Sequence, residues 1–163
     1  MKVNILRALF IAALSFMLFA CATVQEQGRE DKENFRSANA YVELGVGYLG
    51  QGRAEAALET LKKAIAIKPD YAEAHSSIAL AYGELRENEK AEEHYQRALA
   101  LSPKDGLIQN NYAAFLCHAG RPTEAEKYFL KAINSRNYPT PAQALENLGV
   151  CALQIPDQKK AEM

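Results

Sequence analysis

A chain of 163 residues with 19 Lys+Arg against 20 Asp+Glu, three Cys and no Trp carries no basic cluster of the kind that binds nucleic acid. Charged residues make up 24% and are spread evenly, which excludes a mainly disordered polypeptide and leaves a folding chain. Sixteen of the first twenty residues are apolar, so the N-terminus is read separately from the rest.

Lys2 and Arg7 precede an apolar run from Ala8 to Ala20 broken only by Ser15. That run is shorter than the ~18 residues of a stable bilayer-spanning helix, so residues 1–20 read as a secretory signal peptide. The run ends in Leu18-Phe19-Ala20-Cys21, which resembles a bacterial lipobox, although Phe19 stands where a small or β-branched residue is usual. The resemblance implies cleavage before Cys21 and a lipid on its thiol; the alternative is an uncleaved membrane anchor with an incidental cysteine. Ala22, rather than Asp, after the cysteine resembles the sorting pattern that sends a lipoprotein to the periplasmic face of the outer membrane. Removing 1–20 leaves 17 basic against 20 acidic residues, so attachment would come from acyl chains and not from a basic surface. Residues 21–37 then read as an acylated N-terminus and polar tether, able to reach on the order of 50 Å if extended.

From residue 38 a period of 34 appears. Tyr41, Leu44, Gly45, Tyr48, Ala57, Leu61, Ala64 and Pro69 recur as His75, Ile78, Ala79, Tyr82, Ala91, Tyr95, Ala98 and Pro103, and most recur again from Gln109 to Ala132. These spacings resemble the tetratricopeptide repeat and divide 38–163 into 38–71, 72–105, 106–141 and a partial unit 142–163. Leu44, Gly45 and Tyr48 share one face of a first helix, and Ala57, Leu61 and Ala64 one face of a second, with small residues where the backbones approach. Gly52 and Gly120 suit the turns between helices, and Pro69 and Pro103 end the second helices. No strand-like alternation competes, so the expected class is all-α, a right-handed solenoid of antiparallel helix pairs. The third joint is lengthened by Asn137-Tyr138-Pro139-Thr140-Pro141, where Thr140 and Pro141 suit a helix start. The fourth unit is expected to be incomplete at Met163.

No catalytic constellation is legible. His75 holds a packing position, His94 lies among Glu92, Glu93 and Gln96 on what reads as a solvated face, and Cys117 and His118 are adjacent, about 100 degrees apart around a helix. There is no Cys-x-x-Cys and no His pair at four-residue spacing, so neither a metal nor a cofactor is expected beyond the lipid on Cys21. With Cys21 acylated, Cys117 and Cys151 remain as an even pair late in the first helices of neighbouring units. A disulfide between them is the expectation, closing a loop of about 34 residues, with two buried free thiols as the alternative.

The second, fifth, ninth, twelfth and thirteenth residues of each first helix are the expected ligand-facing set. Asn39, Val42, Val46 and Leu49 in the first repeat and Ser76 and Leu80 in the second make this lining mostly apolar and uncharged. It lacks a Lys/Asn/Arg clamp for a terminal carboxylate and suits an apolar extended strand or amphipathic helix. Packing of the same residues against a tether or neighbouring helix is the competing explanation.

Asn110-Asn111-Tyr112-Ala113-Ala114-Phe115-Leu116-Cys117 with Gly120 and Glu124-Ala125-Glu126 resembles the type IV pilus biogenesis and stability lipoprotein family. Tyr138-Pro139-Thr140-Pro141-Ala142 and Leu145 to Leu153 resemble the next repeat of the same family, second cysteine included. The resemblance implies a non-enzymatic outer-membrane pilotin of about six repeats that helps the pilus secretin localise or assemble. The secretin subunit is then the expected partner, with no nucleic acid or small-molecule substrate. The alternative is a tetratricopeptide lipoprotein that scaffolds cell-wall enzymes.

Overall fold

The computed structural model describes residues 2–153, with side chains from residue 26 onward. It contains α1 (Lys2–Gly50), α2 (Ala54–Ile67), α3 (Ala72–Glu84), α4 (Asn88–Leu101), α5 (Gly106–His118), α6 (Pro122–Ile133) and α7 (Pro141–Ala152), with no strand among the described residues. Two compact units divide the chain, Met1–Ser37 and Ala38–Met163. The lipobox side chains, Cys21 included, and the expected remainder of the fourth repeat, residues 154–163, lie outside the described residues.

In the first unit, residues 22–36 of the polar tether are helical, so the reach available to an extended chain does not apply. Gln25, Glu26, Gln27, Arg29, Glu30, Lys32 and Glu33 are good helix formers with no proline among them, and Gln27 donates to Asp31 one turn on at 3.5 Å. A lack of apolar residues predicts solvation and says little about conformation. As a helix, fifteen residues cover about 22 Å, less than half the extended reach.

The second unit is an all-α tetratricopeptide superhelix in which α1, α3 and α5 pack on α2, α4 and α6 respectively. Leu61, Tyr95 and Phe129, one period apart, are each no more than 1% exposed, and Ala57, Ala91 and Ala125 beside them are at 0%. Small residues set how near the helices come: a Cβ added at Gly45 would lie 2.5 Å from Leu61 Cγ. Leu44 departs from its expected packing role. It is 49% exposed, whereas its counterparts Ile78 and Tyr112 are buried, because α3 packs on α2 and α5 on α4 while no second helix precedes the first repeat within this unit.

The three turns between paired helices share one geometry. Gly52, Arg86 and Gly120 have φ of 68°, 59° and 76°. In each, the residue donates to the carbonyl three back and the next residue to the carbonyl five back, as in Arg53 N to Tyr48 O, Glu87 N to Tyr82 O and Arg121 N to Leu116 O, all 2.9 Å. Arg86 therefore holds a left-handed conformation that its neighbours give to glycine.

The lengthened third joint is packed. Tyr138 is 5% exposed and rests on the start of α5, where a Cβ at Gly106 would meet Tyr138 Cβ at 2.5 Å; Ser135 Oγ donates to Lys104 O at 3.0 Å nearby. Thr140 precedes α7 without capping it through its side chain.

Candidate partner-binding surface

The residues expected to face a ligand divide into two groups. Val46 is 45% exposed, and Leu49 and Leu80 are half-buried, so these three present apolar surface on α1 and α3. Val42 at 1% and Ser76 at 3% belong to the interior, which corrects the expected lining. Both occupy the fifth position of their repeats, and Asn110, the third residue of that series, is 4% exposed and accepts from Asn147 Nδ2 of α7 at 3.2 Å. The fifth position therefore serves the seam between consecutive first helices. Ser76 Oγ finds no hydrogen-bond partner among the described residues.

Asn39 is held in place by its surroundings. Its Nδ2 donates to Glu43 Oε1 at 2.7 Å, and its Oδ1 accepts from the Tyr71 hydroxyl at 2.6 Å, with Glu73 Oε2 at 3.2 Å from the same hydroxyl. Burial, followed by the charges of Glu73 and Glu43, pushes the Tyr71 phenol up to about 12, so it stays a donor across the physiological range. Further along, Leu80, Tyr95, Ala114 and Phe115 line a recess of about 560 Å³ to which Glu84, Arg86 and His118 add polar groups. This recess continues the apolar surface from repeat two into repeat three.

An ion-paired junction ties repeat two to repeat three. Arg121 Nη1 donates to Glu92 Oε1 and Oε2 at 2.9 and 2.8 Å, while its Nε and Nη2 donate to Glu124 at 2.8 Å each. Tyr112 donates to Glu92 Oε1 at 3.0 Å, and burial, then Glu92, pushes that phenol up to about 12. The paired forks hold α4, α5 and the start of α6 in register.

Cys117 of α5 and Cys151 of α7 lie with Cα atoms 5.8 Å apart and their sulfurs joined; both are buried. His94 is not on a solvated face. It reaches across to His75, with the two Nδ1 atoms 3.0 Å apart, a contact between residues 19 apart that no local spacing rule finds. Among the described residues no three His, Cys, Asp or Glu side chains group to hold a metal, and none is long and apolar enough as a helix to cross a membrane.

Comparison with known proteins agrees with this architecture. Family models described as TPR repeat and tetratricopeptide repeat match residues 45–86, 72–105, 94–127 and 119–162. The type IV pilus assembly protein PilF of Pseudomonas aeruginosa is 34% identical over 158 residues, covering 96% of this chain and 63% of that protein. A solved structure of Pseudomonas aeruginosa PilF matches with a TM-score of 0.72 and 36% identity, covering 76% of this chain and 55% of that one. A crystal structure of PilW, described as a widely conserved type IV pilus biogenesis factor, matches at 0.66 and 34% identity over 71% of this chain and 53% of that one. This chain thus spans between about half and two thirds of the length of these relatives.

Proposed function

Since the chain belongs to the tetratricopeptide-repeat proteins of type IV pilus biogenesis, we propose that it is a non-catalytic, pilotin-like adaptor. In this reading it is held on the periplasmic face of the outer membrane by a lipid on Cys21 and binds the secretin subunit to aid its localisation or multimerisation. The relationship to a pilus assembly protein over 96% of the chain carries the reading. The exposed or half-buried Val46, Leu49 and Leu80, with the recess at Phe115, support it, because apolar surface of this kind receives an apolar strand or helix. Several acyl chains on Cys21 would give durable attachment where one gives only marginal binding.

Deleting the gene and measuring secretin multimers together with surface pili tests the function. Loss of both is expected. Intact multimers with altered cell shape would instead favour a scaffold for cell-wall enzymes. Cys21→Ser should abolish labelling by a palmitate analogue and release the protein from membranes; unchanged retention with an uncleaved N-terminus would refute the lipid anchor.

A further inference from the structure

The adaptor reading makes no use of His75 and His94, yet the two imidazoles meet inside repeat two. Their Nδ1 atoms are 3.0 Å apart and their ring centroids 5.1 Å apart. The centroid distance is close to the nitrogen separation plus two ring radii, so the nitrogens point at one another along the line between the rings. That head-on arrangement suits one shared proton and lacks the convergent angle at which two imidazoles chelate a metal.

The proton placement follows from a third atom. His75 Nε2 lies 3.0 Å from the Pro69 carbonyl oxygen, which can only accept, so Nε2 carries hydrogen. In the neutral pair His75 Nδ1 then offers a lone pair, and His94 Nδ1–H donates to it. One added proton is accommodated by reversing the bond: His75 donates from both nitrogens, and His94 accepts at Nδ1 with its own hydrogen on Nε2. A second added proton puts two N–H groups and two positive charges face to face.

We propose that the His75–His94 pair is a proton-sensitive latch, which holds α3 on α4 with none or one added proton and releases when it takes the second. Its surroundings weigh against that second proton. Lys62 of α2 and Lys90 of α4 stand over the Tyr82 ring, 5.8 and 5.3 Å from its centroid, and that ring lies 5.6 Å from His94. Glu93 on α4 is the opposing carboxylate, and the Lys68–Asp70 ion pair brackets Pro69. Burial first, then His75 and Lys62, hold His94 below its ordinary value, with Glu93 acting the other way. The unfolded chain therefore takes up protons more readily than the folded one. The latch's contribution is complete above about pH 6.5 and is lost as pH falls below it.

The latch is independent of the adaptor reading, and its test needs no partner. On the full chain, imidazole nitrogen resonances and amide exchange are followed from about pH 7.5 to about pH 5, where histidine is the titrating side chain. His75 and His94 should protonate in two steps more than about one pH unit apart, with α3 and α4 amides exchanging at least about tenfold faster, beyond the intrinsic pH effect, through the lower step. His94→Gln keeps a donor for His75 Nδ1 and should remove that acceleration, whereas His118→Gln should leave it in place. One common protonation step, or exchange in α3 and α4 that follows only the intrinsic rate, overturns the proposal. The unsubstituted chain decides the matter even if His94→Gln fails to fold.

Discussion

Gly45→Ala probes how the helix pairs are spaced, because two opposed effects of similar size meet at one atom. Alanine in place of a helical glycine gains about 1 kcal/mol of propensity. The new Cβ, however, would sit 2.5 Å from Leu61 Cγ and 2.7 Å from Cδ2, and Leu61 is fully buried with its branch point, not a mobile tip, in the way. Overpacking of this kind costs about 1–3 kcal/mol, so the single substitution should be neutral to destabilising by about 2 kcal/mol. Leu61→Ala alone should cost about 2–5 kcal/mol. In that background the obstructing atoms are gone and Gly45→Ala should stabilise by about 1 kcal/mol, a coupling of about 1–3 kcal/mol. Urea unfolding followed by helical circular dichroism, with midpoints compared at constant slope, measures all four corners of the cycle. A Gly45→Ala effect of the same sign and size in both backgrounds would refute the close-approach account.

Arg86→Gly should raise the urea midpoint, since a non-glycine residue in the left-handed region costs about 1–2 kcal/mol and glycine's chain entropy returns only part of it; Arg86→Ala should give no such gain. Reducing the Cys117–Cys151 link opens a loop of 34 residues, for which chain entropy predicts about 3–4 kcal/mol, so the melting temperature should fall and α7 become protease-sensitive before α2 and α3. Alkylation of both cysteines in denatured, unreduced protein would reject that bridge. On the proposed secretin contact, Val46→Glu should weaken binding with the helical dichroism unchanged, and normal binding would move the site away from the first repeat.

The period of 34 was enough to place the helix pairs, because a contact between helices needs a small residue wherever backbones meet, and Gly45, Ala79 and Ala113 announce it. It was not enough to sort the groove. Val42 and Ser76 satisfy the ligand-facing period, yet their side chains fall in the seam between first helices, and that depends on how neighbouring repeats dock. Arg86 stands in phase with Gly52 and Gly120, so repeat alignment carried the signal for a left-handed arginine even though the residue type did not. The His75–His94 contact had no comparable signal, being made across two helices by side chains whose separation matches no helical spacing.

Repeat two also joins the two cores of the unit. Ile78, Ala81 and Tyr82 of α3 pack in the cluster that holds Val42 and Leu61, while Ala79, one residue after Ile78, packs in the cluster that holds Tyr95, Leu116 and Phe129. A solenoid is stabilised chiefly by its nearest-neighbour interfaces, so whatever loosens α3 weakens the link between both clusters at once. His75 of the imidazole pair and Leu80 of the recess lie on α3, and the left-handed Arg86 lies at the turn that follows it. Proton uptake at His75 and His94 would therefore reach Leu80 through α3, and on the proposed adaptor surface it would bear on partner binding as well as on stability.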